Sequence, residues 1–176
     1  MTHLPEPGAE ARAHSERVAL AIRAAIAADG GCLPFSRYTE LALYAPGLGY
    51  YAAGATKLGT AGDIVTAPEM TPLFAEALAA QVAAILAATD FREVVELGGG
   101  SGRLAADLLN ALAARDRLPS RYAILEVSPD LAERQRATLA HDAAAHLERV
   151  VWIGAVPASI DEIGRASCRE RVYVLV

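Results

Sequence analysis

Between residues 9 and 28 apolar positions return every four residues. Val18, Ile22 and Ile26 fall on one side, the period of an amphipathic helix. Gly30-Gly31 comes directly after and predicts the end of that helix. The next stretch, LPFSRYTELALYAPGLGYYAAGATKLGTAGDIVTAPE from Leu33 to Glu69, holds no sustained period. One short helix near Tyr38–Tyr44 is all it predicts, because Pro46, Gly47, Gly49, Gly54, Gly59 and Gly62 interrupt the remainder of the stretch. A loop of this length is uncommon in a compact domain and usually covers or binds something.

The pattern changes at Thr71-Pro72. Thr71 predicts an N-cap with Pro72 at the first helical position, and Phe74, Leu78, Val82 and Ile85/Leu86 make the apolar stripe of the helix they open. EVVEL (Glu93–Leu97) is a short apolar run that predicts a buried strand. Arg103–Ala114 predicts a helix with Leu104, Leu108, Leu109 and Leu112 facing inward. YAILEV (Tyr122–Val127) predicts a second strand, and Ser128-Pro129-Asp130 caps a third helix expected to run to about Leu147. RVVWI (Arg149–Ile153) predicts a third strand. From Phe91 onward the order is β-α-β-α-β, the signature of an α/β fold with a parallel sheet and right-handed crossovers.

Composition narrows the classes. With 176 residues, 53% of them hydrophobic, the chain can bury a core of ordinary domain size. Its net charge of −5, with basic residues scattered among acids, argues against a nucleic-acid partner. The polar opening MTHLPEPGAEARAHSER contains no signal-like apolar segment. The alanine-rich run LFAEALAAQVAAILAA is too short for a membrane span and carries Glu76 and Gln81. Cys32 and Cys168 lie far apart with no pairing pattern, which fits a reducing compartment. His3, His14, His141 and His146 form no ligand spacing, so they read as surface residues and no metal is expected. These features point to a cytoplasmic protein.

The candidate chemistry lies in VVELGGGSGRL (Val94–Leu104), where a strand meets a helix through four glycines. Such turns sit at the carboxyl end of a parallel sheet, where ligands bind and backbone must approach them closely. The dinucleotide pattern GxGxxG fails in both registers: from Gly98 its third glycine falls on Arg103, and from Gly99 its middle one falls on Ser101. No lysine is placed for a P-loop. The spacing that fits is ExGxGxG, with Glu96, Gly98, Gly100 and Gly102, the pattern of class I methyltransferases that use S-adenosylmethionine. Glu126, 24 residues after Gly102, stands where an acid can accept both ribose hydroxyls of an adenosine ligand. An acid there is shared with NAD enzymes, so the glycine register makes the choice.

Together with this turn, PFSRYTELALYAPGLGYY, GDIVTAPE, TPLFAEALAAQ, GSGRLAADLL and ILEVSPDLAERQ resemble the MidA family of S-adenosylmethionine-dependent methyltransferases, which includes the mitochondrial complex I assembly methyltransferase. The resemblance runs from about Leu33 to Pro157. It implies a Rossmann-like class I methyltransferase fold, here its N-terminal part with a helical, loop-rich extension. It implies S-adenosylmethionine bound by Glu96, Gly98, Gly99, Gly100, Ser101, Gly102 and Glu126. It also implies a protein arginine nitrogen as substrate, a respiratory complex I subunit as partner, and a mitochondrial location in eukaryotic relatives. Ile64, Thr71 and Gly99 depart mildly from the family's usual residues.

Asp63 and Glu69 are the carboxylates placed to orient a guanidinium and draw charge from its attacking nitrogen. The alternative is that Asp63 only fixes its loop and Glu69 only precedes the Thr71 helix. The expected organisation is residues 1–72 as a helix with lid and substrate loops, 73–161 as the first half of the cofactor domain, and 162–176 as a foreign tail. EIGRASCRERV (Glu162–Val172) matches a translated sequencing adaptor and replaces the family's NExxDAxP segment. A three-stranded sheet with an open edge on its first strand is therefore expected, as is a chain that binds cofactor poorly and does not turn over. Rival readings are an NAD(P)-dependent oxidoreductase and a non-catalytic assembly factor that keeps the fold.

Overall fold

A computed structural model describes residues 6–53, 65–90 and 92–155, together with the backbone of 165–167 and 173–175. The chain divides into two compact units, residues 1–55 and 56–176.

In the first unit α1 spans Ala9–Ala28 and α2 spans Phe35–Tyr44. The predicted stripe is real: Val18, Ile22 and Ile26 are half-buried along α1. Gly30 and Gly31 take φ of +72° and +97° just past its end, and the Gly31 N–H closes the helix on the Ile26 carbonyl at 2.9 Å. His14 departs from the surface reading. It is half-buried, and its Nε2 lies 2.9 Å from the Leu48 carbonyl oxygen, tying α1 to the loop after α2.

The second unit begins its described part with α3 (Ala67–Met70), a single turn in place of the expected loop, and continues with α4 (Leu73–Ala88). Pro72 already has helical angles, φ −64° and ψ −17°, and Thr71 Oγ1 accepts the Leu73 N–H at 3.3 Å. The N-cap is therefore Pro72, one residue later than the sequence predicts, and Thr71 Oγ1 meets the first helical amide from just before it. The chain then runs β1 (Glu93–Leu97), α5 (Arg103–Ala113), β2 (Arg121–Leu125), α6 (Pro129–Asp142), a 3₁₀ turn over Ala144–Arg149, and β3 (Val150–Ile153). The third predicted helix is shorter than expected. It stops at Asp142, because the next residue, Ala143, leaves the helical region at φ −142° and ψ 35°, and the chain continues as the tighter 3₁₀ turn. β2 ends one residue before Glu126, which lies just beyond the strand.

β1 pairs with β2 and β2 with β3, both parallel, as the β-α-β-α-β order requires. The expected open edge on β1 is not found. β5 (Tyr173–Leu175) pairs antiparallel with β1, and β4 (Arg165–Ser167) with β5. Among the described residues the sheet has five strands in the order β3-β2-β1-β5-β4. A three-stranded reading counts only the long apolar runs, and β4 and β5 are three residues each.

Strand alternation sorts the side chains. Val94, Tyr122, Ile124 and Val150 face the main core with α4, α5 and α6, while Val95 and Ala123 pack with Leu97, Val151 and Ile153 on the opposite face. In α4 the fully covered row is Ala75, Ala79, Val82 and Leu86; Phe74, Leu78 and Ile85 flank it half-buried. The sequence stripe marks the larger apolar residues, of which Val82 and Leu86 are buried, but the fully covered row also takes in the small alanines Ala75 and Ala79.

Candidate functional site

The glycine turn leaves β1 at its carboxyl end and enters α5. The Gly98 N–H donates to the Leu125 carbonyl at 3.0 Å, which fastens the start of the turn to the end of β2 beside Glu126. The Gly102 N–H closes the turn on the Gly99 carbonyl at 2.8 Å.

The glycines are needed for different reasons. Gly102 takes φ +85°, and a Cβ there would stand 2.9 Å from the Gln135 Cα on α6. A Cβ on Gly99 would meet Ile124 Cγ2 at 2.8 Å. These two positions are closed by the fold's own packing. Gly98 also has positive φ, +74°, but a Cβ there would meet nothing within 4 Å. The turn therefore shows bare backbone to open space at Gly98. Arg103 does not press on the sheet. It is half-buried and its guanidinium pairs with Asp142 on α6 and, at 3.5 Å, with Asp107 on α5.

Glu126 is half-buried and held at both oxygens. The Ser128 N–H donates to Oε1 at 2.8 Å and the Gln135 Nε2 donates to Oε2 at 2.9 Å. Each carboxylate oxygen accepts two hydrogen bonds, so each keeps a second lone pair. That is the acceptor set a vicinal diol needs. Ser128 is also the N-cap of α6, its Oγ accepting the Leu131 N–H at 3.3 Å.

Glu96 lies beneath the turn, 1% exposed, on the helix-facing side of the sheet. Tyr122 Oη donates to its Oε2 at 2.8 Å. Burial pushes the Glu96 carboxyl up to about 7; the Tyr122 bond works against this and the Glu126 charge adds to it.

Of the two carboxylates expected to meet a guanidinium, Glu69 is brought to the turn: Ser101 Oγ donates to its Oε1 across the gap between α3 and the start of α5. Ser101 Oγ also accepts the Arg103 N–H at 3.3 Å. Asp63 lies outside the described residues. Glu96, Gly98, Gly99, Gly100, Ser101, Gly102 and Glu126 thus fall along one turn and the adjoining strand ends, with Glu69 beside it.

Gln135 and Trp152 escape sequence reasoning. Gln135 is fully buried on α6, with Nε2 also donating to the Gly100 carbonyl at 3.1 Å and Oε1 accepting the Trp152 Nε1–H at 2.9 Å. Arg136 lies over the Trp152 ring, 4.4 Å from its centroid. The one available signal is a polar residue at a position where the α6 pattern calls for an apolar one.

Among the described residues no group of His, Cys, Asp and Glu could hold a metal ion, and no helix is long and apolar enough to cross a membrane.

Residues 77–169 match the family described as putative S-adenosyl-L-methionine-dependent methyltransferase. The mitochondrial protein arginine methyltransferase NDUFAF7 homolog of Caenorhabditis elegans is 33% identical over 62% of this chain and 27% of its own length. The Mus musculus protein arginine methyltransferase NDUFAF7 is 33% identical over 64% of this chain and 27% of its own. A protein from Burkholderia thailandensis, solved with bound S-adenosyl-homocysteine, is 49% identical with a TM-score of 0.80, covering 90% of this chain and 42% of that one. The chain spans about a quarter of the length of these curated relatives.

Proposed function

The chain belongs to the family of putative S-adenosyl-L-methionine-dependent methyltransferases, and from that premise we propose that its glycine turn binds S-adenosylmethionine for methyl transfer to a protein arginine nitrogen. The observation that carries this reading is the pairing of open space at Gly98 with a Glu126 carboxylate pre-set at both oxygens. Two glycines are used by packing; the third leaves room for something else. The residues assigned to the cofactor are Glu96, Gly98, Gly99, Gly100, Ser101, Gly102 and Glu126. When bound, the cofactor supplies an electrophilic methyl carbon. Glu126 accepts the ribose hydroxyls, and the turn lets the ligand lie against backbone. Glu96 supports the turn from below.

Glu69, fixed at one oxygen by Ser101, is assigned to orient the substrate guanidinium with the other. Asp63 is its proposed partner in that task. The protein's own contribution is then positioning and charge placement. The names of the mitochondrial relatives support arginine as the methylated residue. A respiratory complex I subunit is the substrate we assign by family resemblance, with a cytoplasmic location in a bacterial cell.

Calorimetry with S-adenosyl-homocysteine and with NAD tests the cofactor. Because β5 covers the β1 edge whose exposure predicted poor binding, the reading expects saturable binding of the first, lost in Glu126→Ala, and none of the second. Binding of NAD alone would return the turn to the oxidoreductase reading. Retained S-adenosyl-homocysteine binding in Glu126→Ala would remove Glu126 from the site.

A further inference from the structure

We infer that Gln135 is a positioning residue, one that sets the spacing between the glycine turn and Glu126 and thereby the affinity for an adenosine ligand. This rests on the reading of the turn as the cofactor site.

Every polar atom of the Gln135 side chain is used, and every bond but one ends on the turn or on Glu126. The Trp152 indole can only donate, so the amide oxygen must face it. That orientation turns the amide nitrogen toward two acceptors, the Gly100 carbonyl at 3.1 Å and Glu126 Oε2 at 2.9 Å. The network admits one orientation of the amide. The backbone makes the same contact: the Gln135 Cα is the atom that excludes a side chain at Gly102, and its Nε2 stands 3.3 Å from where a Cβ on Gly99 would be. One α6 residue thus touches the turn at three of its glycines.

A buried amide is a costly choice for core filling. The other buried α6 residues are Leu131, Ala132 and Leu139, and a side chain of similar length without polar atoms would fill the space without desolvating an amide. What the amide adds is a neutral double donor. It is neutral and occupies one lone pair of one Glu126 oxygen, so the carboxylate stays open to a diol. An arginine or lysine in its place would bring a competing positive charge. Gly100 and Glu126 come from different β–α connections, and the Gln135 amide bridges them directly.

Trp152 is the chain's single tryptophan, so one indole N–H signal in a ¹H–¹⁵N spectrum reports the bond to Gln135. The test uses the full chain with S-adenosyl-homocysteine. Wild type is expected to bind and to shift the indole signal on titration. Gln135→Met keeps the length and removes the amide. Its indole signal is expected to move in the free protein, and its affinity to fall about tenfold, the worth of roughly one hydrogen bond. Gln135→Glu keeps the shape but sets a carboxylate against Glu126, and should lose more; it carries the test if Gln135→Met does not fold. Leu139→Ala, a buried α6 change away from the turn, is expected to lower stability and leave affinity unchanged. Unchanged affinity in Gln135→Met, or an equal loss in Leu139→Ala, overturns the inference. Absence of binding in wild type overturns the cofactor reading instead.

Discussion

Tyr122 donates its hydroxyl to Glu96 at 2.8 Å across neighbouring parallel strands, and the two side chains are 0% and 1% exposed. In the register Tyr122 stands opposite Val94, so the hydroxyl reaches one pleat further along β1 to find the acid. A glutamate in the helix-facing core is thus satisfied from inside the sheet. Burial, more than its neighbours, sets how each group titrates: it raises the Glu96 carboxyl to about 7 and the Tyr122 phenol well above its ordinary value.

This pair gives the protein a pH-dependent stability. The folded chain keeps the Glu96 proton up to about pH 7, whereas the unfolded chain releases it near 4.5. The folded state therefore binds more protons in between, and the stabilisation, complete below about 4.5, is lost as pH rises through 7. The total is on the order of 3 kcal/mol. Glu96→Gln still accepts the Tyr122 hydrogen bond and should abolish this slope. Tyr122→Phe removes the bond that lowers the Glu96 carboxyl, so it should carry the window upward. Denaturant unfolding between pH 5 and pH 8 measures all three, and a wild-type slope retained in Glu96→Gln would refute the assignment.

Gly98 and Gly102 separate ligand space from packing space. Alanine at Gly98 meets nothing within 4 Å and carries only its positive-φ strain, about 1–2 kcal/mol. Its methyl group projects into the space assigned to the cofactor, so binding of S-adenosyl-homocysteine should be lost while the chain stays folded. Alanine at Gly102 carries the same strain and drives into the Gln135 Cα, adding about 1–3 kcal/mol of overpacking. Unfolding curves and calorimetry on the two variants should rank them oppositely for stability and for binding. The same ranking in both measurements would mean that the open face of Gly98 is not a ligand face.

Most elements that periodicity announces stand where the sequence places them, although β2 and α6 end earlier. β1, α5 and the start of α6 carry long apolar runs or cap signals, and Ser128 caps α6 as its type predicts. The glycine turn is legible because glycine spacing records backbone geometry directly. Three things are not. β4 and β5 are too short to show a period, so the pairing on β1 cannot be read. α3 is one turn inside a stretch punctuated by Gly and Pro. Gln135 is fixed by partners 17 and 35 residues away in sequence, Trp152 and Gly100, and no local pattern holds such contacts. Glu69 falls between these cases: its residue type suggests chemistry, but its reach to Ser101 depends on how α3 turns.

The Glu69–Ser101 contact should act on local order more than on global stability. Both residues are half-buried, and a single side-chain hydrogen bond contributes about 1 kcal/mol. In Ser101→Ala the unfolding midpoint should move little. The α3 amides of Glu69 and Met70, which bond back to the Thr66 carbonyl, should exchange hydrogen faster, since α3 loses its tie to the turn. Amides in the middle of α4 should be unaffected. Unchanged exchange at Glu69 and Met70 would show that α3 is held by its packing and not by Ser101.

Helix α4 depends on small side chains. Ala75 and Ala79 are 1% and 0% exposed, and the larger Phe74 and Leu78 lie together along one flank of them at half-burial. Ala79 shares the core cluster with Ala105, Leu108 and Leu109 of α5, so added methylenes at position 79 have nowhere to go without parting the helices. Ala79→Leu should destabilise by about 1–3 kcal/mol although it adds apolar surface. Leu78→Ala removes more atoms but from a half-covered site, so its cost should fall below the ~2–5 kcal/mol typical of a fully buried leucine. Because α5 begins at the glycine turn, parting α4 from α5 should also loosen Arg103 and the turn before it. Ala79→Leu is therefore expected to weaken S-adenosyl-homocysteine binding, with Leu78→Ala nearly neutral there. Denaturant midpoints and calorimetry on both variants decide it: a stabilised Ala79→Leu would mean the alanine row is not the close seam between α4 and α5.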